Sequence, residues 1–409
     1  MERVILHCDL NSFYASVELL SHPELRAVPV AVCGDPDSRK GIILAKNEPA
    51  KAFGVKTAET IWQARRKCPD LILLPPHHDL YRDFSRAVNE IYGRYTDLVE
   101  PFGIDESWLD ITGSMHLFGG DAAAIADGIR KQIRRELGLT LSVGVSFNKV
   151  FAKLGSDYKK PDATTLIPPD RWQEIVWPLP LGAMLFAGPA AQRALGQYGV
   201  KSIGGLAAMP PALPEQLLGK MGRQLWEYAN GLDRSPVRPQ HEKEPVKSIG
   251  NSFTFREDLT TRAQLRRGAS MLCDSVAGRL RQHGLYCGAV AVGLKDPAFK
   301  SISRQKHLSH STHLRGDLLE AAMELIDKVW KPGSPVRLLG ITALALTDSL
   351  ETYEQTDLFA PRRLEADTKQ ENLERAVDAI RQKFGGEAIS YGEAAGRPKT
   401  LDDGGEDGG

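Results

Sequence analysis

Apolar and polar positions along about the first 165 residues follow the periods of strands and helices in turn. Residues 3–10 form a nearly continuous apolar run, which predicts a buried strand. Residues 13–20 then have helical spacing, and Asn11 or Ser12 can cap that helix. Further helices are predicted at 61–66, 79–98, 121–137 and 148–157, and further strands at 28–32, 41–45, 103–112 and 139–146. This alternation predicts an α/β or α+β core.

The middle of the chain shows three different patterns. Residues 166–235 are short helical stretches separated by Gly and Pro. Residues 236–246 contain three prolines among charged residues, with no evident apolar anchor, which predicts an extended linker. Residues 247–346 have the order β-α-β-β-α-β, which predicts a four-stranded sheet with both helices on one face.

The last segment, 347–409, is predicted to start as a loop and to continue as a helix at about 367–384. Leu373, Val377 and Ile380 fall on one face of that helix. The acidic, glycine-rich end from Asp402 is typical of disorder.

Composition limits the class of protein. A chain of 409 residues is too long for one compact core and predicts about two to four domains. No apolar run approaches the roughly 18 residues of a membrane span, and the N-terminus lacks the pattern of a signal peptide. The five cysteines form no CxxC pair, which favours reduced thiols in a cytoplasmic protein without a zinc site.

The net charge is zero for the whole chain but unevenly distributed. Residues 245–345 contain 15 Lys and Arg against 8 Asp and Glu, a net charge of +7. A basic sheet domain in a neutral chain is one mark of a nucleic-acid-binding protein, although a chance excess spread over the surface is the alternative.

Three acidic residues stand out in the predicted core. Asp9 ends the first strand, and Asp105 and Glu106 are neighbours in the run 103–112. A regular strand points neighbouring side chains to opposite faces, so a shared site requires a bend at Asp105 and Glu106. The alternatives are a hairpin tip with two solvated acids, and a solvated or capping Asp9.

Three carboxylates on two core strands can hold two Mg²⁺ ions, because hard cations prefer oxygen ligands. Such a pair of ions can activate an attacking hydroxyl and hold a triphosphate. Lys51 and Lys160 are candidate cations for the triphosphate, although either lysine alone is more typical of a solvated surface. The P-loop, GxGxxG and HExxH patterns are absent from the sequence.

Four motifs, in order, give the sequence a specific resemblance. They are Cys8-Asp9-Leu10-Asn11-Ser12-Phe13-Tyr14-Ala15-Ser16-Val17-Glu18, Phe53-Gly54-Val55-Lys56, Ile104-Asp105-Glu106-Ser107-Trp108-Leu109-Asp110, and the run from Ser142 to Leu154 with Lys160-Pro161. Through these motifs, residues 1 to about 350 resemble a Y-family DNA polymerase of the DNA polymerase IV type, the translesion class.

The resemblance implies an α+β multidomain fold shaped like a right hand. Residues 1–20 and 76–165 would form the catalytic palm, 21–75 small fingers, and 166–235 a helical thumb. The linker at 236–246 would lead to a little finger at 247–346 with the β-α-β-β-α-β order. The implied activity is error-prone DNA synthesis across damage by two-metal-ion nucleotidyl transfer onto a primer 3′-OH.

The resemblance also implies residue roles. Asp9 and Asp105 would bridge two Mg²⁺ ions, Glu106 would bind the catalytic ion, and the Leu10 carbonyl would complete the other. Tyr14 matches the steric gate, whose ring excludes a ribose 2′-OH. The nucleotide would also contact the backbone around Phe13 and the side chains of Ile42, Lys51 and Lys160.

The sequence departs from the family in two places. The fingers carry Asn47-Glu48-Pro49-Ala50-Lys51 where many relatives place Tyr and Arg, and Lys51 lacks the bidentate fork of Arg. Ile42 and Leu44 fall where the family roofs the nascent base pair, often with smaller residues. In the thumb, the run from Leu185 to Ala191 keeps one Gly and lacks the usual Lys of a phosphate-binding hairpin.

Gln355-Thr356-Asp357-Leu358-Phe359 resembles the peptide that binds the bacterial sliding clamp. The alternative is a loop whose Leu358 and Phe359 pack on the following helix. The implied partners are primer-template DNA, dNTP and the replication sliding clamp, with no membrane and a monomeric chain. Two rival hypotheses are an inactive DNA- and clamp-binding accessory protein and a nucleotidyl cyclase. A nucleotidyl cyclase would have no use for a thumb domain.

Overall fold

The computed structural model describes residues 3–36, 41–242, 245–349, 360–386 and 388–391, with side chains omitted at 360–367. The predicted clamp peptide at 355–359 and the acidic tail from Asp402 lie outside the described residues. The chain divides into two compact units, one within residues 1–243 and the other within 244–409. Of the helices described, none is long and apolar enough to cross a membrane.

The first unit alternates strands and helices, as the hydrophobic pattern predicts. Its elements are β1 (Ile5–Leu10), α1 (Phe13–Ser21), β2 (Val30–Cys33), β3 (Ile43–Lys46), α2 (Glu48–Ala52), α3 (Ile61–Lys67), β4 (Ile72–Leu74), α4 (His78–Tyr92), β5 (Val99–Pro101), β6 (Glu106–Asp110), α5 (Ala122–Leu137), β7 (Leu141–Ser146), α6 (Lys149–Tyr158), β8 (Thr164–Leu166), α7 (Trp172–Val176), α8 (Pro189–Gly196), α9 (Ile203–Ala207), α10 (Ala212–Leu218) and α11 (Lys220–Ala229).

A five-stranded sheet of order β5-β6-β1-β7-β8 forms the centre of this unit. β1 pairs antiparallel with both β6 and β7, and every one of its residues is buried, including the polar His7 and Asp9. One apolar cluster joins these strands to α1, α4 and α5. A second sheet, of order β3-β2-β4, packs with α2 and α3 around a smaller cluster.

Three details differ from the predictions for this unit. The helix predicted at 79–98 ends at Tyr92, and the short helix α2 was not predicted. Ser12 does not cap α1: its backbone is left-handed (φ 51°) and its side chain makes no capping bond. Asn11 binds Ser142 and the Asp162 backbone N–H instead, so the predicted cap is wrong because tertiary contacts take its hydrogen bonds.

The start of the predicted linker is anchored, contrary to the prediction of no apolar contact. Val237 is buried in a cluster with Ile5 and Trp108. The Arg238 backbone N–H donates to Glu100 at 3.0 Å. Residues near 237 therefore pack against the first unit, which the proline-rich composition alone did not indicate.

The second unit confirms the β-α-β-β-α-β order. Its elements are β9 (Ile249–Leu259), α12 (Arg262–Gln282), β10 (Tyr286–Lys295), β11 (Ser301–Thr312), α13 (Arg315–Val329), β12 (Val336–Thr347) and α14 (Ala360–Phe384). The four strands form an antiparallel sheet of order β11-β10-β12-β9. Apolar residues of α12 and α13 pack in one cluster with this sheet.

Ion pairs, more than apolar contacts, attach α14 to α12. Glu374 is fully buried and pairs with Arg281, which also binds Asp378 at 2.6 Å. Arg381 binds Asp274 through two nitrogens, at 3.0 and 2.8 Å. Of the apolar face predicted for this helix, Val377 is buried, whereas Leu373 and Ile380 are exposed.

Replacing Arg281 with methionine should detach α14, because it leaves the Glu374 carboxylate buried without its charge partner. Breaking a buried pair in this way costs roughly 3–5 kcal/mol. Amide hydrogen exchange of residues 368–384 in the full-length protein should rise sharply. A double variant that also carries Glu374→Met should regain much of the protection, since no charge is then buried. Unchanged exchange in the single variant would refute this account of the docking.

Candidate active site

The register of the central sheet places two of the predicted acids side by side. Asp9 on β1 lies opposite Glu106 on β6. The chain bends between β5 and β6, and Asp105 belongs to that bend while Glu106 begins the strand. The Asp105 carbonyl accepts a hydrogen bond of 3.0 Å from the Leu10 backbone N–H. Regular alternation therefore fails at the pair of acids, as a shared site requires.

Asp9 and Glu106 form a compact cluster with His7. The ligand atoms of these three residues all lie within 4.8 Å of one another. Asp105 is not part of that cluster, but its carboxylate is close enough to Asp9 and Glu106 to be affected by their negative charges. Burial and then the charges of Asp9 and Glu106 raise the pKa of Asp105 to about 6. The three predicted carboxylates thus share one crowded region.

Two lysines, one on α6 and one just after it, offset the negative charge of this region. Lys153 on α6 places its Nζ 2.9 Å from Asp9 Oδ2 and 2.7 Å from Glu106 Oε2. Lys160 places its Nζ 2.7 Å from Asp9 Oδ2 and 2.8 Å from Asp157 Oδ1. Lys160, predicted to bind a triphosphate, is therefore brought beside the carboxylates.

The pKa shifts follow from this balance of charges. Burial acts to raise the pKa of Glu106, but its contacts with His7 and Lys153 outweigh burial and lower that pKa to about 2. Burial acts to lower the pKa of Lys153, but attraction to Asp9, Asp157 and Glu106 raises it overall. Burial lowers the pKa of His7, which favours its neutral imidazole. Glu106 and Lys153 are therefore both held in their charged forms.

Close packing of α6 on β7 positions Lys153. A Cβ on Gly144 would lie 1.9 Å from the Ala152 carbonyl oxygen, and one on Gly155 would lie 2.9 Å from Gly144 Cα. Only glycine at both positions lets the helix lie this close to the sheet. Asn148 caps α6 by accepting from the Phe151 backbone N–H at 2.8 Å.

The donor set fits Mg²⁺. Carboxylate oxygens are the ligands this hard cation prefers, and Asp9 and Glu106 present them from adjacent strands, with Asp105 at the adjoining bend. Glu106 Oε2 is buried and has no hydrogen-bond partner of good geometry, despite its short approach to Lys153. Such an oxygen is suited to a metal ion. His7 is a less suitable ligand for Mg²⁺, and its contact with Glu106 Oε2 at 3.2 Å orients that carboxylate instead.

Tyr14 projects from α1 against α4. Its ring stacks on Tyr81 with 4.0 Å between centroids and 12° between planes. The His78 ring lies nearly perpendicular to it, with 5.9 Å between centroids. Phe13 is buried in the core, so only its backbone can serve the nucleotide-binding role predicted for it.

The predicted contacts of the fingers lie on α2 and beside β3. Lys51 Nζ pairs with Glu48 Oε1 at 2.5 Å, an exposed pair within one helical turn. Glu48 also accepts from the Ser12 hydroxyl at 3.5 Å. Ile42 precedes β3 and forms an isolated bridge with Thr60. These positions, like the Leu10 carbonyl, stay predictions as nucleotide or metal contacts.

Sequence reasoning missed His7 and Lys153. A signal for His7 was available, because residues two apart on a strand share a face and His7 is two before Asp9. The signal for Lys153 was weaker. Lys153 lies four before Asp157 on one helix, but its approach to Asp9 depends on the glycine contact between α6 and β7.

Replacing Lys153 with methionine should destabilise the protein in EDTA by about 1–3 kcal/mol, because Asp9 and Glu106 lose their shared counter-charge. Mg²⁺ should recover most of this loss by supplying positive charge to the same carboxylates. Urea unfolding with EDTA and with Mg²⁺ measures both values. Lys159→Met, at an exposed position beyond the same helix, should have little effect in either buffer. An equal loss in both buffers would contradict the metal assignment.

Two known protein families match parts of this chain. Residues 8–157 match the impB/mucB/samB family, and residues 246–358 match the impB/mucB/samB family C-terminal domain. The chain is 46% identical to DNA polymerase IV of Acetivibrio thermocellus over 395 residues, covering 96% of this chain and 97% of the relative. It is 38% identical to DNA polymerase IV 1 of Bacillus subtilis over 390 residues, covering 95% and 92%.

A solved structure supports the fold. A Y-family DNA polymerase chimera of Dbh and Dpo4 matches with a TM-score of 0.73 at 21% identity, covering 85% of this chain and 100% of the chimera. The fold is therefore the α+β multidomain architecture that the sequence predicts, while the individual domain boundaries stay predictions. The chain belongs to the Y-family DNA polymerases, of the DNA polymerase IV type.

Proposed function

We propose that this polymerase adds deoxynucleotides to a primer 3′-OH at Asp9, Asp105 and Glu106, copying DNA across damaged template bases. The observation that carries the proposal is the antiparallel register that sets Asp9 against Glu106, with Asp105 at the adjoining bend. Two bound Mg²⁺ ions would lower the pKa of the attacking hydroxyl and stabilise the negative charge on the leaving pyrophosphate.

The chain's own residues would prepare that site. Asp9 and Asp105 would each contact both ions, Glu106 would contact the catalytic ion, and His7 would hold the Glu106 carboxylate in place. Lys160 is well placed to turn from Asp9 to the triphosphate, because its side chain is partly exposed and its ammonium is a mobile point charge. Lys153 is more buried and would stay with the carboxylates.

Primer extension tests this function. The wild-type protein, given a primer-template, dNTP and Mg²⁺, should extend the primer according to the template, and EDTA should stop it. Extension should continue opposite a damaged base with reduced selectivity. The rival function, an inactive DNA- and clamp-binding accessory protein, predicts DNA binding without extension.

The size of Ile42 supports a narrower range of lesions than in relatives with smaller residues at this position. Ile42→Ala should therefore increase bypass of bulky adducts several-fold while leaving synthesis on undamaged DNA nearly unchanged. Val28→Ala, a similar truncation at an exposed position of the same region, is the matched control. No gain in bypass would count against a role for Ile42 above the base pair.

We also propose that Gln355, Asp357, Leu358 and Phe359 bind the sliding clamp, and that the polymerase acts as a cytoplasmic monomer. Deleting 355–359 should abolish stimulation by the clamp and leave distributive synthesis intact. Deleting five residues of the acidic tail from Asp402 provides a control of equal length. Stimulation that survives the first deletion would refute this assignment.

A further inference from the structure

A buried carboxylate lies behind Tyr14. Glu18 is one helical turn after Tyr14 on α1, so both side chains lie on the same face of that helix. Glu18 is only 5% exposed. A carboxylate this buried is costly unless hydrogen-bond donors surround it. Neither the metal ligands nor the predicted nucleotide contacts include Glu18.

Two residues of the α4 region donate to Glu18. The Tyr81 hydroxyl makes a short hydrogen bond to Glu18 Oε1. His77 Nδ1 lies 2.9 Å from Oε1 and 3.1 Å from Oε2. Burial, together with the neighbouring Glu18, raises the pKa of Tyr81, so its hydroxyl stays protonated and can donate. The carboxylate is therefore held by two donors.

Tyr81 passes this constraint to Tyr14. Its ring is fully buried and fixed at the hydroxyl end by Glu18. Its face stacks on Tyr14, with centroids 4.0 Å apart and planes 12° from parallel. The Tyr14 ring is thus stacked on a ring whose hydroxyl end cannot shift without breaking a buried hydrogen bond.

We propose that Glu18 is a positioning residue for sugar selection, acting through Tyr81 on the ring of Tyr14. The inference rests on the proposed role of Tyr14 as the steric gate. A steric gate excludes a ribose 2′-OH only while its ring occupies the space that the 2′-OH would need. Glu18 keeps the ring there by anchoring the residue on which it stacks.

The test is the ratio of kcat/KM for a dNTP to kcat/KM for the matching rNTP. This ratio does not depend on the fraction of folded enzyme, because both substrates are measured on the same sample. Tyr81→Phe removes only the hydroxyl, and Glu18→Leu removes the acceptor with little change in size. Each should lower the ratio about three- to tenfold, which corresponds to the net energy of one hydrogen bond, because both variants remove the hydrogen bond between Tyr81 and Glu18.

Two controls separate positioning from general damage. Glu18→Gln keeps an oxygen that can accept from Tyr81, so its ratio should stay within about twofold of wild type. In a Tyr14→Ala background, Glu18→Leu should have no further effect on the ratio, because the residue through which it acts is gone.

The outcomes also separate this inference from the proposed function. If Tyr14→Ala leaves the ratio unchanged, Tyr14 is not the gate and the underlying assignment fails. If Tyr14→Ala lowers the ratio while Tyr81→Phe and Glu18→Leu both leave it at the wild-type value, the gate stands and the positioning role of Glu18 is overturned.

Discussion

Replacing Asp105 and Glu106 together with alanine should reduce primer extension by roughly a thousandfold or more. Metal ions at such a site contribute several kcal/mol of transition-state stabilisation, and each 1.4 kcal/mol is a factor of ten in rate. Only Asp9 would then be left to hold the ions, so the chemical step should be lost while DNA binding remains. Rapid-quench incorporation of a single dNTP measures the chemical step directly.

A matched control removes the same amount of charge elsewhere. Asp83 and Glu90 are exposed acids on α4, and alanine at both positions should leave the incorporation rate nearly unchanged. Asp105→Ala alone provides a check on folding. Burial and like charges disfavour the ionised Asp105 carboxylate, so its removal should not lower the unfolding temperature. Equal rates for the wild type and the Asp105 and Glu106 double variant would refute the catalytic assignment.

Replacing Tyr14 with alanine should increase incorporation of ribonucleotides relative to deoxyribonucleotides by roughly a hundredfold. Discrimination here is expected to come from a steric clash with the 2′-OH, and loss of the ring removes that clash. The rate for dNTP should change less than the rate for rNTP. Single-nucleotide kinetics with each sugar measures the ratio.

Tyr14→Phe is the control for this prediction, because it keeps the ring and removes only the hydroxyl. It should preserve most of the discrimination. Tyr14→Ala without a change in the ratio would show that another residue meets the sugar, even if the overall rate falls.

The sequence predicts much of the fold because the hydrophobic periods are strong. The largely apolar run at 3–10 contains β1 at the centre of the sheet, and the β-α-β-β-α-β order of the second unit is confirmed. Tertiary contacts explain the failures. Ser12 adopts a left-handed backbone and does not cap α1, and Val237 packs into the first unit.

The site was predictable in part. Asp9 and Glu106 lie close together because their strands pair, and the apolar runs and the motifs together indicate that pairing. The roles of Lys153 and Glu18 could not be predicted in the same way. Lys153 depends on how closely α6 approaches β7, and Glu18 depends on the crossing of α1 with α4. Both arrangements depend on contacts between elements that are distant in the sequence, and no local sequence pattern predicts such contacts.

A crystal structure of the full chain with primer-template, a non-hydrolysable dNTP analogue and Mn²⁺ in place of Mg²⁺ tests the metal site most directly. Anomalous scattering then locates the ions independently of the refined atoms. The expected result is two peaks about 3.5–4 Å apart, both within bonding distance of Asp9 and Asp105, with Glu106 at one of them. A ternary complex with ordered nucleotide and no metal peak at Asp9 would contradict it.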